Sequence, residues 1–256
     1  QTGKGVSDFH TGDRVVSNGN HAEYVVVNQN LCTRIPDNTD IKEASFTVLG
    51  SIALHGLRLS ETSLGSKVVV IGLGIIGQLV CRLAEAQGSE VIGIDPDTKR
   101  TDLSANFYTS VEEANMTNVD SVIITAATSS NEPIEVATKI ARNKAKIVVV
   151  GDIPLNISRN DFYYKELELV VSKSYGPGRY DKQYEILGKD YPIEYVRWTE
   201  NRNFEAFIKL LSQNQIHLLD LVTEEVSFEN APSIYKKFSG EDKPLSVVLR
   251  YDNKSE

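Results

Sequence analysis

The sequence predicts an α/β fold, a doubly wound parallel sheet with helices on both faces, and three observations carry that expectation. Continuous apolar runs of strand length recur at residues 67–71, 91–94, 121–124 and 146–150, as suits strands buried on both faces. Helical periodicity over 75–87 and 133–143 fills the stretches between them, and such alternation implies right-handed crossovers and a parallel sheet. The 256 residues, 41% hydrophobic and 24% charged with 17 Gly and 8 Pro, suffice for a full core in one or two domains and exclude collagenous, disordered and small disulfide-bonded classes.

Residues 1–35 read as short strands and turns. Gly12-Asp13-Arg14-Val15-Val16 is followed by turn chemistry in Ser17-Asn18-Gly19-Asn20, then by the β-branched and aromatic run from His21 to Val27. From Ile41 to Leu59 the positions Ala44, Val48, Leu49, Ile52, Ala53 and Leu57 follow helical spacing, with Gly50 and Gly56 allowing a break or close packing. The strand at 67–71 leads into the helix 75–87, ended by Gly88. After the strands at 91–94, 121–124 and 146–150 a further strand is expected at 167–171, and a loop from Ser174 to Tyr180 then interrupts the pattern. A helix at 203–213, a strand-rich piece at 220–228, a helix at 232–238 and a last strand at 245–251 complete the chain, with no internal repeat.

Lys plus Arg number 27 against 35 Asp plus Glu, a net charge of −8 without long runs of either sign, so neither nucleic acid nor an anionic membrane is an expected partner. Cys32 and Cys81 cannot form a disulfide framework or a zinc knuckle, which points to a reducing, cytoplasmic location. No membrane-length apolar run or apolar signal core is present. Met116 is the only methionine, and the chain reads as a piece of something longer.

The strongest chemical signal is Gly72-Leu73-Gly74-Ile75-Ile76-Gly77, directly after a buried strand and opening a helix. Gly72 permits the tight turn, Gly74 lets backbone approach a pyrophosphate, Gly77 lets helix and strand pack closely, and the helix N-terminus offers free N–H groups. Asp95 stands at the end of the second strand, where an acidic residue accepts hydrogen bonds from ribose hydroxyls and repels a 2′-phosphate. The expected cofactor is therefore NAD, with S-adenosylmethionine and a purely structural glycine turn as alternatives. Lys99 and Arg100 lie where they reach phosphate or adenine, or simply form a solvated helix face. Thr125-Ala126-Ala127 and Gly151-Asp152-Ile153-Pro154 close later strands at their C-terminal ends, where open α/β sheets bind ligands. Thr125, Ala126, Gly151 and Asp152, with Ser174 further on, are candidate nicotinamide-side contacts; plain connecting loops are the alternative.

An ordered set of motifs runs through nearly the whole chain: Gly12-Asp13-Arg14-Val15, His21-Ala22-Glu23-Tyr24-Val25-Val26-Val27, Ile35-Pro36-Asp37, Glu43-Ala44-Ser45-Phe46, the glycine loop, and Val226-Ser227-Phe228-Glu229-Asn230-Ala231. Together they resemble the medium-chain dehydrogenase/reductase family, the zinc-type alcohol dehydrogenases. Three further stretches, 162–169, 174–181 and 190–200, resemble a branch found as the front half of bi-domain oxidoreductases, often associated with surface-polysaccharide synthesis. The resemblance implies a Rossmann domain at 41–214 and a partial GroES-like β catalytic domain made from both chain ends, 1–40 and 215–256, its first part lying upstream of Gln1. It also implies a small-molecule substrate and a fused or partner dehydrogenase domain, and it leaves a homodimer paired through the Rossmann sheet edge open.

Zinc-type members carry a cysteine-rich lobe after the Gly-Asp-Arg-Val motif, whereas only Val16 to Asn20 separate that motif from His21 here. The family's first two catalytic zinc ligands would precede Gln1, and its later Cys ligand would fall near Thr47 to Gly50, which contains no Cys, His, Asp or Glu. His10, His21, His55 and His217 are scattered, so no metal is expected, and hydride transfer must polarise its carbonyl by hydrogen bonding. Tyr175, Arg179 and Tyr180 are the candidates for that work, unless they merely pin their loop. Tyr191, Tyr195, Arg197 and Trp198 form a cluster for a sugar, a partner domain or interdomain packing. The expected function is NAD(H)-dependent hydride transfer to or from a small alcohol, carbonyl or sugar-derived substrate. A catalytically silent NAD-binding module is the alternative, with a methyltransferase third.

Overall fold

A computed structural model of the chain describes residues 1–104, 106–240 and 243–251. In chain order its elements are β1 Val15–Ser17, β2 Cys32–Arg34, α1 Ile41–Ala44, α2 Thr47–Leu59, β3 Lys67–Ile71, α3 Ile75–Ala86, β4 Glu90–Ile94, α4 Thr98–Thr101, β5 Phe107–Tyr108 and α5 Val111–Ala114. They continue with β6 Val119–Ile124, α6 Glu132–Ile140, β7 Ala141–Val149, α7 Arg159–Lys165, β8 Glu168–Val171, α8 Lys182–Glu185, α9 Glu200–Ser212, β9 Glu224–Ser227, α10 Ala231–Phe238 and β10 Val247–Arg250.

Six strands form one parallel sheet in the order β5-β4-β3-β6-β7-β8. The central strand β3 shows why the apolar runs are continuous. Its Val68 and Val70 join a core cluster with residues of α2, α3 and α9, while Val69 and Ile71 face a second cluster holding Ile134, Ala137 and Ile140 of α6. Successive side chains of a strand point to opposite faces, so a sheet covered on both sides needs an apolar residue at every position. The strand order turns back at β3, with β4 to one side and β6 to the other. The crevice above the carboxyl ends of β3 and β6 is therefore the topological switch point where such sheets bind ligands.

The chain ends hold fewer strands than expected, four short ones in two separate pairs among the described residues. The pair β1–β2 is antiparallel and β9–β10 is parallel. The loop after β1 touches α10, where His21 Nδ1 and the Tyr235 hydroxyl lie 2.6 Å apart. The strand expected at 21–27 is absent; Tyr24 and Val26 lie exposed, and no described strand runs alongside to complete a ladder, without which β-propensity alone does not hold a strand.

Three helical boundaries differ from the periodicity. The run 41–59 divides at Ser45-Phe46, because Asp40 caps α1 and the Glu43 carboxylate is drawn inward to accept the Leu218 N–H at 2.6 Å. Gly50 and Gly56 do not break α2; they admit the Phe207 ring and the Val150 side chain against the helix. The helix expected to Asn143 stops at Ile140, where the Lys165 ammonium donates to the carbonyls of Thr138, Lys139 and Ala141 and satisfies orphan acceptors of the last turn. The helix expected from Asn203 begins at Glu200, after Thr199 accepts the Arg202 N–H, and α7 and α8 were not foreseen.

Candidate functional site

The glycine loop lies at the switch point. Gly72 follows β3 with φ +97°, and a Cβ there would lie 2.5 Å from the Ala126 nitrogen, so both the turn and the neighbour demand glycine. At Gly77 a Cβ would stand 1.9 Å from the Gly72 oxygen and 2.8 Å from Thr125 Oγ1; the first turn of α3 is pressed onto the loop it leaves. Gly74 differs, since a Cβ there would meet nothing nearer than Arg100 Nη1 at 4.0 Å. No side chain caps α3. Its N-terminal amides and positive dipole end are left for an anion.

Asp95, at the end of β4, is 4% exposed. Its Oδ2 accepts the Leu73 N–H at 2.7 Å and an Arg100 N–H at 3.1 Å, and its Oδ1 accepts the Asp97 N–H at 2.9 Å. The carboxylate thus fixes the glycine loop to the second strand. Arg100 is not a solvated bystander; it pairs with Asp95 and with Asp97 at 3.3 Å, and its carbonyl and that of Leu73 both accept from the buried Gln78 amide. Nothing in the sequence singled out Gln78. On the other side of the crevice the Thr125 hydroxyl donates to the Gly72 carbonyl at 2.5 Å, and the amides of Thr125 and Ala126 share the Ile71 carbonyl. A Cβ on Gly151 would stand 2.0 Å from the Ala126 oxygen, and the Asp152 carbonyl accepts the Thr128 N–H. Gly72, Leu73, Gly74, Ile75, Ile76, Gly77, Asp95, Arg100, Thr125, Ala126, Gly151 and Asp152 are therefore one contiguous constellation.

Ser174, Tyr175, Arg179 and Tyr180 form a second group in the loop after β8. Ser174, Gly176, Gly178 and Tyr180 all have positive φ, between 48° and 103°. A loop with so many left-handed residues keeps its shape only if its surroundings impose it. Tyr175 is buried, stacks at a tilt on Phe204 with centroids 5.6 Å apart, and its hydroxyl accepts from Asn18 Nδ2 at 3.0 Å. Burial raises its phenol above the ordinary tyrosine range. Arg179 lies against the rings of Tyr175 and Tyr180, 5.0 and 4.2 Å from their centroids, and pairs with Glu185 at 2.7 Å. Tyr180 is exposed.

Helix α2 joins the two groups. Its Gly56 rests on Val150, which precedes Gly151, and its His55 ring lies beside Gly176. Burial, then the Arg58 charge, holds the His55 imidazole down at about 4, so it is neutral at physiological pH. Asn203 of α9 closes the arrangement, donating to the Tyr175 carbonyl and accepting from Arg58 Nε, each at 3.0 Å. His55, Asn203, Glu185 and Glu200 brace the loop, and sequence spacing gave no signal for any of them. Of the other aromatic and basic cluster, Trp198 sits against the guanidiniums of Arg58 and Arg197, while Tyr191 stacks on Tyr184. Among the described residues no group of three or more His, Cys, Asp or Glu side chains is arranged to hold a metal ion, and no helix is long and apolar enough to cross a membrane.

The chain is similar to several known dehydrogenases. Residues 50–161 match the family described as D-isomer specific 2-hydroxyacid dehydrogenase, NAD binding domain; that match covers the glycine loop and Asp95 and reaches neither strand-rich end. D-guloside 3-dehydrogenase of Escherichia coli strain K12 is 25% identical over 97% of this chain and 73% of its own length. A 2-dehydro-3-deoxy-L-galactonate 5-dehydrogenase of Pseudoalteromonas atlantica is 28% identical over 60% of this chain and 49% of its own. The crystal structure of galactitol-1-phosphate dehydrogenase from Escherichia coli superposes with a TM-score of 0.78 at 21% identity, covering 97% of this chain and 80% of that one. The guloside dehydrogenase and galactitol-1-phosphate dehydrogenase matches span both chain ends as well as the sheet, whereas the hydroxyacid-type match is confined to residues 50–161. Over nearly its whole length the chain is similar to sugar and alcohol dehydrogenases of the medium-chain type, it shares their fold with a Rossmann-like parallel sheet, and it is an oxidoreductase that takes a nicotinamide cofactor.

Proposed function

We propose that this chain uses NAD(H) to interconvert an alcohol and a carbonyl on a sugar-derived or polyol substrate, without zinc held by its own residues. The observation that carries the reading is the buried Asp95 carboxylate tied to the Leu73 amide. The carboxylate that would accept the adenosine ribose hydroxyls is the same one that shapes the phosphate-facing loop. The residues fit such a cofactor: Gly74 leaves open space beside an uncapped helix end, and Asp95 disfavours a 2′-phosphate. We take residues 41–214 as the cofactor domain and 1–40 with 215–256 as parts of the catalytic one.

Once bound, the nicotinamide supplies hydride acceptance or donation. The work of this chain's residues is orientation and electrostatics. The α3 amides would hold the diphosphate, and the strand-end loops at Thr125-Ala126 and Gly151-Asp152 would line the nicotinamide side, with Ser174 beyond. In the second loop Tyr180 faces outward to meet substrate, while Tyr175 and Arg179 hold it in place. Because the Tyr175 hydroxyl accepts from Asn18, its own proton stays free for donation. The sugar-derived class is supported by relatives named for guloside and deoxygalactonate substrates.

The test is absorbance at 340 nm with NAD(H) and a panel of polyols, sugar acids, sugar phosphates and short-chain alcohols. Turnover of a sugar-derived member, unchanged by a chelator, is expected. Saturable NADH binding with no turnover across the panel would instead leave the silent-module alternative standing.

A further inference from the structure

Glu200 opens α9 and is fully buried, yet neither carboxyl oxygen has a hydrogen-bond partner among the described residues. Buried polar groups are almost always paired, and an unpaired buried carboxylate is among the least favourable states a side chain can occupy. Its surroundings come from three elements. From the loop, the Pro177 carbonyl accepts the Glu200 N–H at 2.8 Å, and the Arg179 charge acts on the Glu200 carboxyl while its own Nε is buried without a hydrogen-bond partner among the described residues. From α8 comes Glu185, whose Oε1 accepts both Arg179 Nη1 at 2.7 Å and the Tyr180 N–H at 2.9 Å. The phenols of Tyr175, Tyr184 and Tyr191 complete the set of titratable groups that feel its charge. Among the described residues, then, one guanidinium serves two carboxyl groups and is bonded to only one.

We propose that Glu200 is a proton-controlled positioning residue for the loop 174–181. As the neutral acid it leaves Arg179 with Glu185; once its proton passes to solvent, the carboxylate draws the guanidinium Nε toward itself and loosens the Glu185 clamp on the Tyr180 backbone. The inference rests on the reading of this loop as the substrate wall. Burial, and after it the Glu185 charge, pushes the Glu200 carboxyl up to about 8, so the acid form holds at neutral pH and the change comes on the alkaline side. The strained dihedrals of the loop make it responsive, because the bracing contacts are what hold it in that shape.

Trp198 is the only tryptophan. It stands two residues before Glu200 with guanidiniums 3.4 and 3.8 Å from its ring, so its emission reports movement here without substrate or cofactor. The whole chain is titrated from about pH 6.5 to 9.5, with circular dichroism as a check on folding. A one-proton transition near pH 8 is expected in the wild type and its disappearance in Glu200→Gln. Glu185→Gln removes the like charge that raises Glu200, and is expected to move the midpoint to lower pH by half a unit or more. A flat wild-type profile, a transition that survives Glu200→Gln, or a midpoint that Glu185→Gln leaves in place overturns the proposal. Should Glu200→Gln fail to fold, the Glu185→Gln shift decides. If the optical transition behaves as expected but kcat/KM shows no alkaline limb at the same pH, the substrate-wall reading falls and the Glu200 assignment stands.

Discussion

Gly77→Ala abolishes useful dinucleotide binding, with an expected loss of at least about 100-fold in affinity, equivalent to about 3 kcal/mol. The added methyl would sit 1.9 Å from the Gly72 carbonyl oxygen and 2.8 Å from Thr125 Oγ1. Neither neighbour is the far end of a flexible side chain: one is backbone, and the other is fixed by its bond to the same carbonyl. Relief requires α3 to back away from β3, which withdraws the N-terminal amides from the anion they would hold. Overpacking of this kind also destabilises by about 1–3 kcal/mol, so a lowered melting temperature should accompany the binding loss. Fluorescence titration with NADH and a thermal melt check both parts. Binding within threefold of wild type would show that the loop does not approach the cofactor as closely as described.

Asp95→Ala carries the second large effect. Three donors lose their acceptor together: the amides of Leu73 and Asp97 and the Arg100 guanidinium. Leu73 is fully buried, so its amide is left unsatisfied, at about 1–3 kcal/mol. Stability and NADH affinity should therefore fall in the same variant. Asp95→Asn separates the two roles, since it keeps an oxygen for the Leu73 amide and removes the charge that would repel a 2′-phosphate. Its expected signature is near-normal stability with the NADPH-to-NADH affinity ratio raised about tenfold or more, a difference of about 1.4 kcal/mol. Arg100, released from its ion pair, would then be available to the extra phosphate. A ratio unchanged in Asp95→Asn would mean that this carboxylate does not meet the ribose.

The candidate cofactor crevice was legible as a constellation because the local structure it requires is short-range. A tight turn, a close backbone approach and an acidic strand end each demand a residue type at a fixed offset, and Gly72, Gly77 and Asp95 stand at those offsets in one βαβ unit. The continuous apolar strands were legible for a similar reason, since a sheet covered on both faces leaves no polar position on β3 after the exposed Lys67. What escaped depends on partners distant in sequence. The run from His21 to Val27 has strand composition, but a ladder needs a neighbouring edge that composition does not encode. The end of α6 is decided by Lys165, 25 residues beyond Ile140, and the Gly/Pro loop takes its shape from His55 on α2, Asn203 and Glu200 on α9 and Glu185 on α8. Glu200 reads as an ordinary acidic residue in a helix's first turn, where the dipole favours it; only the packing of α8 and α9 against the loop turns it into a buried acid without a partner.

Calorimetric titration of the wild-type chain with NADH and, separately, with NADPH tests the central claim most directly. Single-site saturable NADH binding is predicted, at least about tenfold tighter than NADPH and not displaced by S-adenosylmethionine. Absence of NADH binding, or NADPH binding as tightly or more so, would contradict the assignment of the α3 amides to a diphosphate and of Asp95 to an unphosphorylated ribose.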